Sequence, residues 1–238
     1  AEKAKLVLAI ATTAATTMAG KTADIPILGT AITDYEAPKL VQSNEAPGWN
    51  ISGTSDMNPV AAQIGLLKQL APDCETVGVL YTSGEMNSVL QAGMAKEAIE
   101  ALGMKYVEVT ITNTNDVQQA VQKIVGMCDA IYLPTDNVLA SSIPIVYGVT
   151  VESKTPVICG ESGMVESGGL ATLGISYSEL GYRTGLMAVE ILNGADISKM
   201  PVKFITEGFE YKINKTVADE IGVEIPEELL PYAFEMGK

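Results

Sequence analysis

Residues 76–87, TVGVLYTSGEMN, give the clearest indication of the fold class. Residues 77–80 form a short apolar run, which is typical of a strand buried on both faces of a sheet. The polar residues 82–84 end this run, and helical spacing begins after them. A buried strand that leads through a polar turn into a helix is the repeating unit of a parallel α/β sheet. Such sheets bind ligands at the carboxyl ends of their strands.

The same arrangement recurs at residues 130–137 (AIYLPTDN) and 156–162 (PVICGES). Apolar runs alternate with helical periodicity along the chain, which predicts an α/β protein with parallel sheets. The predicted strands are residues 6–11, expected to be buried, and 26–30, 49–54, 76–81, 105–111, 130–133, 156–159 and 170–173, with a short β pair at 202–206 and 209–213. The main predicted helices are residues 14–19, 58–70, 85–102, 178–192, 215–221 and 226–234, and one that ends near residue 125 with caps at 115 and 116.

Composition excludes several classes of function. The 238 residues are enough for one domain or two small ones. The formal net charge of −14 argues against nucleic acid and an anionic membrane surface as partners. The chain contains no histidine, which excludes a Ser-His-Asp triad and a Cys–His dyad. No uninterrupted run of 18 apolar residues occurs, so the sequence predicts no transmembrane helix.

The sequence predicts no cofactor and no metal. The spacings of Cys74, Cys128 and Cys159 match no zinc motif, and thiols in apolar runs are typically inert core side chains. Neither a GxGxxG motif nor a P-loop occurs. A metal site would have to use carboxylates alone, and no spacing requires one. The candidate carboxylates are Asp34, Asp56, Asp136 and Glu161.

Polar side chains are densest where the strand at residues 76–81 ends. Hydroxyls and free amides at a helix start suit a carboxylate or phosphate ligand. The same residue types also serve as helix caps, and the two interpretations are equally weighted here. The members of this group are Thr82, Ser83, Glu85, Asn87 and Ser88.

The strand at residues 130–133 leads to Thr135, Asp136 and Asn137. An aspartate at this position can accept hydrogen bonds from an ammonium group. The alternative is again a helix cap, because Asp and Asn are the best capping residues. Three adjoining polar groups favour a binding role.

Two further strand ends carry candidate residues. Glu161 lies between glycines that let a ligand approach the backbone. This segment does not match a nucleophile elbow, because residue 164 is Met. Tyr177 follows a strand and could stack on a flat ligand, although packing in the core is the commoner role of such a tyrosine.

Near the N-terminus, Thr12 and Thr13 follow the first predicted strand and are candidate caps for a short helix. Thr33 and Asp34 form the polar group after the strand at residues 26–30. Ser176 or Ser178 is expected to cap the helix at residues 178–192, and Asn214 the helix at 215–221.

Nine segments, taken as a set, resemble the ABC-transporter substrate-binding proteins of the tryptophan/tyrosine-type family. This family belongs to the type I periplasmic-binding-protein superfamily. The resemblance covers essentially the whole chain, and the order and spacing of the segments carry it rather than any single motif. The segments are LAIATTAA, PILGTAITD, NISGTSD, GVLYTSGEMNS, TNTNDVQQA, DAIYLPTDN, PVICGESGMV, LATLGISYSELGYRTG and VADEIGVEIPEEL.

The resemblance implies two Rossmann-like lobes with parallel sheets, joined by three crossings. A ligand would lie in the cleft between the lobes, which close on it about a hinge as a Venus flytrap does. Lobe 1 would comprise residues 1–54 and 176–205. Lobe 2 would comprise residues 55–175 and 206–238.

The resemblance also implies that lobe 1 is shortened at its N-terminus. Members of the family usually carry about one further βαβα unit before the segment that matches residues 6–11, and a signal segment is not expected within this chain. The incomplete lobe would expose an apolar sheet edge. A homodimer through this edge is one option that the sequence leaves open.

In function, the resemblance implies an extracytoplasmic binding protein, periplasmic or anchored as a lipoprotein, that serves amino acid transport without catalysis. It would bind an aromatic amino acid, such as tryptophan, or a similar small ligand and deliver it to a membrane permease. Residues 83–88 would hold the ligand carboxylate and Asp136 the ammonium, with Glu161 as the competing candidate. The matching residues are Thr12, Thr13, Thr33 and Asp34 on lobe 1 and Ser83, Glu85, Asn87, Ser88, Thr135, Asp136, Asn137 and Glu161 on lobe 2.

Two other classes of function compete with this interpretation. The first is a ligand-sensing effector domain of a regulator, which would share the fold but is disfavoured because the sequence shows no DNA-binding helix-turn-helix or basic patch. The second is a carboxylate-based hydrolase or isomerase. The absence of histidine weighs against that enzyme.

Overall fold

Strands and helices alternate along residues 4–237, which this computed structural model describes. The predicted α/β fold with parallel sheets is confirmed. The strands are β1 (Val7–Ile10), β2 (Ile27–Ile32), β3 (Ile51–Ser55), β4 (Thr76–Thr82), β5 (Lys105–Ile111), β6 (Ala130–Leu133), β7 (Val157–Cys159), β8 (Ala171–Gly174), β9 (Lys203–Phe204), β10 (Glu210–Asn214) and β11 (Ala233–Phe234).

The helices lie between these strands. Short 3-10 turns at Thr114–Asp116, Ile197–Lys199 and Glu227–Tyr232 supplement them. The α-helices are α1 (Thr12–Ala19), α2 (Val60–Leu70), α3 (Met86–Ala101), α4 (Val117–Ile124), α5 (Asn137–Ala140), α6 (Ile143–Glu152), α7 (Ser162–Glu166), α8 (Tyr177–Leu192) and α9 (Lys215–Ile221).

The chain divides into two compact units. The first comprises Ala1–Met57 and Ile175–Phe209, and the second comprises Asn58–Gly174 and Glu210–Lys238. Each unit draws on two separate parts of the sequence. No single linker in the sequence could therefore mark the division.

The first unit is built on a sheet of order β1-β2-β3-β9, in which every pair is parallel. Successive residues of a strand face opposite sides of the sheet. On one side Ile27 packs with Tyr35 and Ile51. On the other side Leu28 packs with Met187 of α8. The sheet is therefore covered on both faces at its centre.

Residues 6–11 contain a strand as predicted, but β1 lies at the edge of this sheet, and the expectation that the strand is buried is wrong for Leu8 and Ile10. Leu8 and Ile10 are 61% and 67% exposed, although Leu8 is in register with the buried Leu28. Helix α8 packs over β2 and β3. An apolar run shows that a segment can be buried, whereas actual burial depends on a neighbouring element that covers it.

The second unit is built on a sheet of order β11-β10-β8-β7-β6-β4-β5. The strands from β5 to β8 are parallel, and β10 runs antiparallel to β8. The core of this unit includes Leu80 of β4, Ile131 of β6 and Val121 of α4, all fully buried. The carboxyl ends of β4, β6 and β7 therefore lie side by side along one edge.

Two predictions near the C-terminus are wrong. Residues 202–206 and 209–213 do not pair with each other, because β9 pairs with β3 in the first unit and β10 with β8 in the second. Residues 226–234 are not one helix but a 3-10 turn followed by β11. Pro231 lies inside that turn, and proline cannot donate the backbone hydrogen bond that a continuing helix needs.

The predicted caps are confirmed at Asn214 and Ser176. Each side chain accepts a hydrogen bond from the backbone N–H three residues on, at 3.2 and 3.3 Å. Thr12 and Thr13 are not caps, because α1 already begins at Thr12. The N-cap position is occupied by Ala11, whose φ of 69° is unusual for a residue with a side chain.

The predicted cap at residues 115 and 116 is replaced by the 3-10 turn that precedes α4. The side chain of Asn113 accepts a hydrogen bond from the Asn115 N–H at 2.9 Å. Asp116 accepts one from the Thr112 N–H at 3.0 Å and therefore does not cap the helix. Both side chains satisfy the local backbone, as short Asn and Asp side chains commonly do.

Candidate functional site

Asp136 connects the carboxyl ends of β4 and β6 in the second unit. Its carboxylate accepts hydrogen bonds from the Thr82 N–H at 2.7 Å, the Thr82 hydroxyl at 2.9 Å and the Leu139 N–H at 2.9 Å. The side chain is fully buried. Burial raises the pKa of Asp136, and the hydrogen bonds from Leu139, Thr82 and Ser88 offset part of that rise.

Glu85 ties the start of α3 to the loop after β6. Its carboxylate accepts hydrogen bonds from the Asn137 N–H (3.1 Å), the Asn137 side-chain amide (2.7 Å) and the Val138 N–H (3.2 Å). The Asn87 amide donates a fourth at 3.3 Å. Glu85 is the N-cap residue of α3, yet within the described chain no side chain caps this helix. The carboxylate is instead used to position the neighbouring loop.

Asn87 and Thr135 carry polar atoms that the protein leaves unsatisfied. The Asn87 amide donates to the Thr135 carbonyl at 2.8 Å, and the Thr135 N–H donates to the Gln91 side chain at 3.1 Å. Asn87 Oδ1 and Thr135 Oγ1 are buried and have no hydrogen-bond partner among residues 4–237. Such orphaned atoms are rare in folded proteins and call for an explanation.

Hydrogen bonds connect six of these polar residues, and we refer to them as the Glu85–Asp136 cluster. The cluster contains most of the site residues predicted for the second unit. Ser83 and Ser88 lie beside it: Ser83 donates to the Ile111 carbonyl at 3.2 Å, and Ser88 is fully buried against the Asn87 amide at 3.3 Å. The members of the cluster are Thr82, Glu85, Asn87, Thr135, Asp136 and Asn137.

Glu161 follows β7 and caps α7. Its carboxylate accepts hydrogen bonds from the Gly163 N–H at 2.6 Å and the Met164 N–H at 2.7 Å. Burial raises the pKa of Glu161, and these two hydrogen bonds lower it in part. The structure therefore gives Glu161 a local capping role at the neighbouring strand end.

In the first unit, Asp56 is the buried carboxylate at a strand end. It directly follows β3 and accepts hydrogen bonds from the Thr33 hydroxyl and the Tyr177 hydroxyl, each at 3.0 Å. Asp34, the predicted carboxylate, instead accepts a hydrogen bond from the Ala37 N–H at 2.6 Å. The segment NISGTSD ends in an aspartate as AIYLPTDN does, and this shared pattern could have identified Asp56 as a site candidate.

The remaining predicted residues of this unit occupy different surroundings. Tyr177 packs against Ile175 and Leu180 while its hydroxyl reaches Asp56, so it has a packing and a polar role together. Thr12 is buried at the start of α1, whereas Thr13 is exposed.

Within residues 4–237, no group of three or more histidine, cysteine, aspartate or glutamate side chains is arranged to hold a metal ion. All three cysteines are free thiols, and burial raises the pKa of Cys128 to about 11. Across the same residues, no helix is long and apolar enough to cross a bilayer.

The family model for ABC transporter substrate binding proteins matches residues 1–237. The chain therefore belongs to this family, and the family predicted from the sequence is confirmed. An ABC domain from Streptococcus pneumoniae, solved in complex with L-Trp, superposes with a TM-score of 0.93 at 38% identity. That comparison covers 99% of this chain and 82% of the other.

A clostridial structure and a clostridial sequence are also similar to this chain. The ligand-free, open structure of a Clostridium difficile substrate binding protein with adhesive properties has a TM-score of 0.73 and 44% identity, covering 98% of this chain and 78% of the other. A tyrosine-binding protein of Clostridioides difficile strain R20291 is 40% identical over 206 residues, or 87% of this chain. The chain spans 60% and 48% of the lengths of the two curated relatives it matches.

More distant structures share the fold alone. A periplasmic binding protein of an arabinose ABC transporter and a LacI-family regulator have TM-scores of 0.59 and 0.58 at 13% and 15% identity. The periplasmic-binding-protein architecture predicted for the chain is consistent with these likenesses. At such identities the fold carries no information on function.

Proposed function

We propose that this chain is the solute-binding component of an ABC importer and that its ligand is an aromatic amino acid such as tryptophan or tyrosine. The observation that carries the proposal is the Glu85–Asp136 cluster. It places hydroxyl, amide and helix N–H groups at the carboxyl ends of two parallel strands, where α/β sheets bind ligands. The relatives described with L-Trp bound or as tyrosine-binding support the choice of ligand class.

In this proposal, the two carboxylates of the cluster organise the site rather than contact the ligand. Asp136 already accepts hydrogen bonds from Thr82 and Leu139, and Glu85 from Asn137 and Val138. Buried carboxylates engaged in this way are held in fixed positions. The geometry therefore does not support the sequence-based assignment of the ligand ammonium to Asp136.

The proposed activity is binding without catalysis, followed by delivery to a membrane permease. We place the protein outside the cytoplasm, in the periplasm or held at the cell surface by a lipid anchor. Incubation with the bound amino acid should return that amino acid chemically unchanged. Recovery of a converted product would instead support the enzyme class.

Ligand-dependent stabilisation tests the proposal directly. A ligand that binds only the folded state raises the free energy of unfolding by about 2.7 kcal/mol at one hundred times its Kd. We expect L-tryptophan or L-tyrosine to raise the thermal midpoint, and L-leucine at equal concentration to raise it much less. No shift with any aromatic amino acid would contradict the proposed ligand class.

We also propose that the chain self-associates through β1 of the first unit. Within the described chain β1 pairs only with β2, and Leu8 and Ile10 beside this open edge are mainly exposed. Open edges template further strand pairing, and two copies of one edge are self-complementary about a two-fold axis. A second copy paired at this edge would continue the sheet through β1.

Solution mass tests this association. We expect light scattering to give twice the chain mass of 25.0 kDa and the variant Ile10→Lys to give the single mass. Leu102→Lys, at an exposed leucine of the second unit, is the matched control and should remain dimeric. A wild-type chain that is monomeric at micromolar concentration would overturn the proposal.

A further inference from the structure

We propose that two neutral oxygens, Asn87 Oδ1 and Thr135 Oγ1, accept the hydrogen bonds of the ligand's α-ammonium group. This inference deepens the proposed function and rests on it. It assigns the recognition of the amino group to an amide and a hydroxyl instead of a carboxylate. Most polar atoms of the Glu85–Asp136 cluster already have hydrogen-bond partners within the described chain, whereas these two oxygens have none.

The orientation of the Asn87 amide is fixed by its neighbours. Its nitrogen faces three oxygens: the Thr135 carbonyl at 2.8 Å, Glu85 Oε2 at 3.3 Å and the Ser88 hydroxyl at 3.3 Å. The reverse orientation would place Asn87 Oδ1 against these acceptors. Oδ1 therefore faces away from them, on a side chain that is only 6% exposed, with no donor from any part of the chain that the structure describes.

The Thr135 hydroxyl oxygen also lacks a hydrogen-bond partner among the described residues. The Thr135 backbone is held on both sides, because its carbonyl accepts from Asn87 and its N–H donates to Gln91. Its Oγ1 is buried without a partner anywhere in residues 4–237. Because the backbone hydrogen bond joins Thr135 to Asn87, both unsatisfied oxygens belong to one small region of the cluster.

The carboxylates nearby supply negative charge without competing for the ligand. Glu85 accepts four hydrogen bonds from the protein and Asp136 at least three. The hydrogen bond from the Asn87 amide to Glu85 also polarises that amide and makes Oδ1 a stronger acceptor. An ammonium group, which has three N–H donors and no acceptor, matches such a site.

The start of α3 supplies the complementary half of an amino acid site. The first intrahelical bond, from the Val89 N–H to the Glu85 carbonyl, leaves the N–H groups of residues 86–88 ahead of it. α3 has 16 residues, and the positive end of its dipole favours a carboxylate at this position. Asn87 lies in this first turn, so the two charged groups of one amino acid find partners next to each other.

Paired ligands that differ only in the amino group test this assignment. The dissociation constants of L-tryptophan and of indole-3-propionate, which lacks the ammonium, are measured by calorimetry for the wild-type chain, Thr135→Val and Thr135→Ser. L-tyrosine and 3-(4-hydroxyphenyl)propionate form a second pair. The control is Thr110→Val at an exposed position of β5.

We expect Thr135→Val to weaken L-tryptophan binding about tenfold or more, the scale of a hydrogen bond to a charged group. Binding of indole-3-propionate should change less than twofold, and Thr135→Ser should retain the wild-type preference. The thermal midpoint of ligand-free Thr135→Val should not fall, because the protein itself makes no use of the hydroxyl. Thr110→Val should leave both constants unchanged.

Equal affinity of the wild type and Thr135→Val for L-tryptophan, or equal losses for both members of the pair, would overturn the inference. In that case the proposed function would stand, because the wild-type chain still binds the amino acid. A wild-type chain that binds neither L-tryptophan nor L-tyrosine would overturn the proposed function and this inference together.

Discussion

Asp136 and Thr82 are joined by two hydrogen bonds, since both the backbone N–H and the hydroxyl of Thr82 donate to the Asp136 carboxylate, at 2.7 and 2.9 Å. Thr82 ends β4, and Asp136 lies in the loop after the adjacent parallel strand β6. This double contact fixes the carboxyl end of one strand relative to the loop after the other. The polar groups of the cluster are arranged around it.

Replacement of Asp136 by asparagine should destabilise the second unit. The amide nitrogen introduced by Asp136→Asn would face an N–H donor of Thr82 or Leu139, and at least one buried donor would be left unsatisfied. Such a group costs about 1–3 kcal/mol. Denaturant unfolding at pH 7 should show this loss, and a wild-type midpoint for the variant would contradict the structural role of Asp136.

The stability contributed by Asp136 should depend on pH. Burial raises its pKa above the ordinary value of 3.8, so the folded state binds the proton more tightly than the unfolded chain. The stabilisation is complete below pH 3.8 and is lost as the pH rises through the raised pKa. The difference in free energy of unfolding between wild type and Asp136→Asn should therefore grow as the pH falls towards 4.

Urea unfolding of both proteins across this pH range is the appropriate measurement. The pKa of Glu161 is also raised by burial, but Glu161 is present in both proteins and its effect cancels in the difference. A difference that does not vary with pH would show that Asp136 titrates alike in the folded and unfolded states.

The variant Glu85→Gln should loosen the loop after β6. In the wild type, the Asn137 and Val138 N–H groups donate to the Glu85 carboxylate. Hydrogen bonds to charged groups are about 1 kcal/mol stronger than those to neutral groups such as the glutamine amide. Hydrogen exchange of these two amides should become about fivefold faster. Glu97→Gln, at an exposed position of the same helix, should leave their exchange unaltered.

Gly160→Ala should displace Thr135. A Cβ at position 160 would stand 2.4 Å from the Thr135 backbone nitrogen and 2.6 Å from the Pro134 carbonyl carbon, closer than any real contact. We expect a loss of about 2 kcal/mol in stability, the scale of overpacking, and weaker ligand binding. Calorimetry and thermal unfolding would measure both effects.

Gly93→Ala provides the matched control for that substitution. Gly93 lies on an exposed face of α3, and among the described residues no atom outside the adjoining backbone of its own helix comes within 4 Å of a Cβ placed there. Alanine in a helix interior is favoured over glycine by about 0.5–1 kcal/mol. This variant should therefore be more stable than the wild type. Stabilisation of both variants would refute the close approach at Gly160.

Gln63→Leu should be among the more damaging substitutions in the second unit. The fully buried Gln63 amide donates to the Gly160 carbonyl at 3.1 Å and the Leu173 carbonyl at 2.9 Å, and its oxygen accepts from the Tyr132 hydroxyl at 2.8 Å. Leucine would leave all three partners unsatisfied. We expect a loss of about 3 kcal/mol for Gln63→Leu and about 1 kcal/mol for Tyr132→Phe. Similar losses for the two variants would contradict this assignment.

The sequence predicted local structure well where one short segment contains the whole signal. The strand expected at residues 76–81 is β4, and Asn214 caps α9 as expected. The sequence did not predict strand pairing correctly where the paired strands are distant along the chain. Residues 202–206 and 209–213 are both partly extended, but they join strands of different units.

The candidate site shows the same division. Polar residues at strand ends were recognised from sequence, because strand, turn and helix follow one another directly in the chain. The sequence did not reveal that Asp56, rather than Asp34, is the partner of Thr33 and Tyr177. Tyr177 lies 121 residues after Asp56 in the chain, and only the fold brings them together. Whether a carboxylate is free or already engaged depends on such distant donors.

Local patterns in the chain are enough to predict the alternation of strands and helices, and with it the sheet edge at which polar side chains gather. Tertiary structure alone decided that Glu85 is held by donors 52 and 53 residues further on and that Asn87 Oδ1 and Thr135 Oγ1 remain without donors among residues 4–237. The physical reason is that periodicity and capping are local properties of the chain, whereas burial and hydrogen-bond partners are set by packing between segments far apart in sequence.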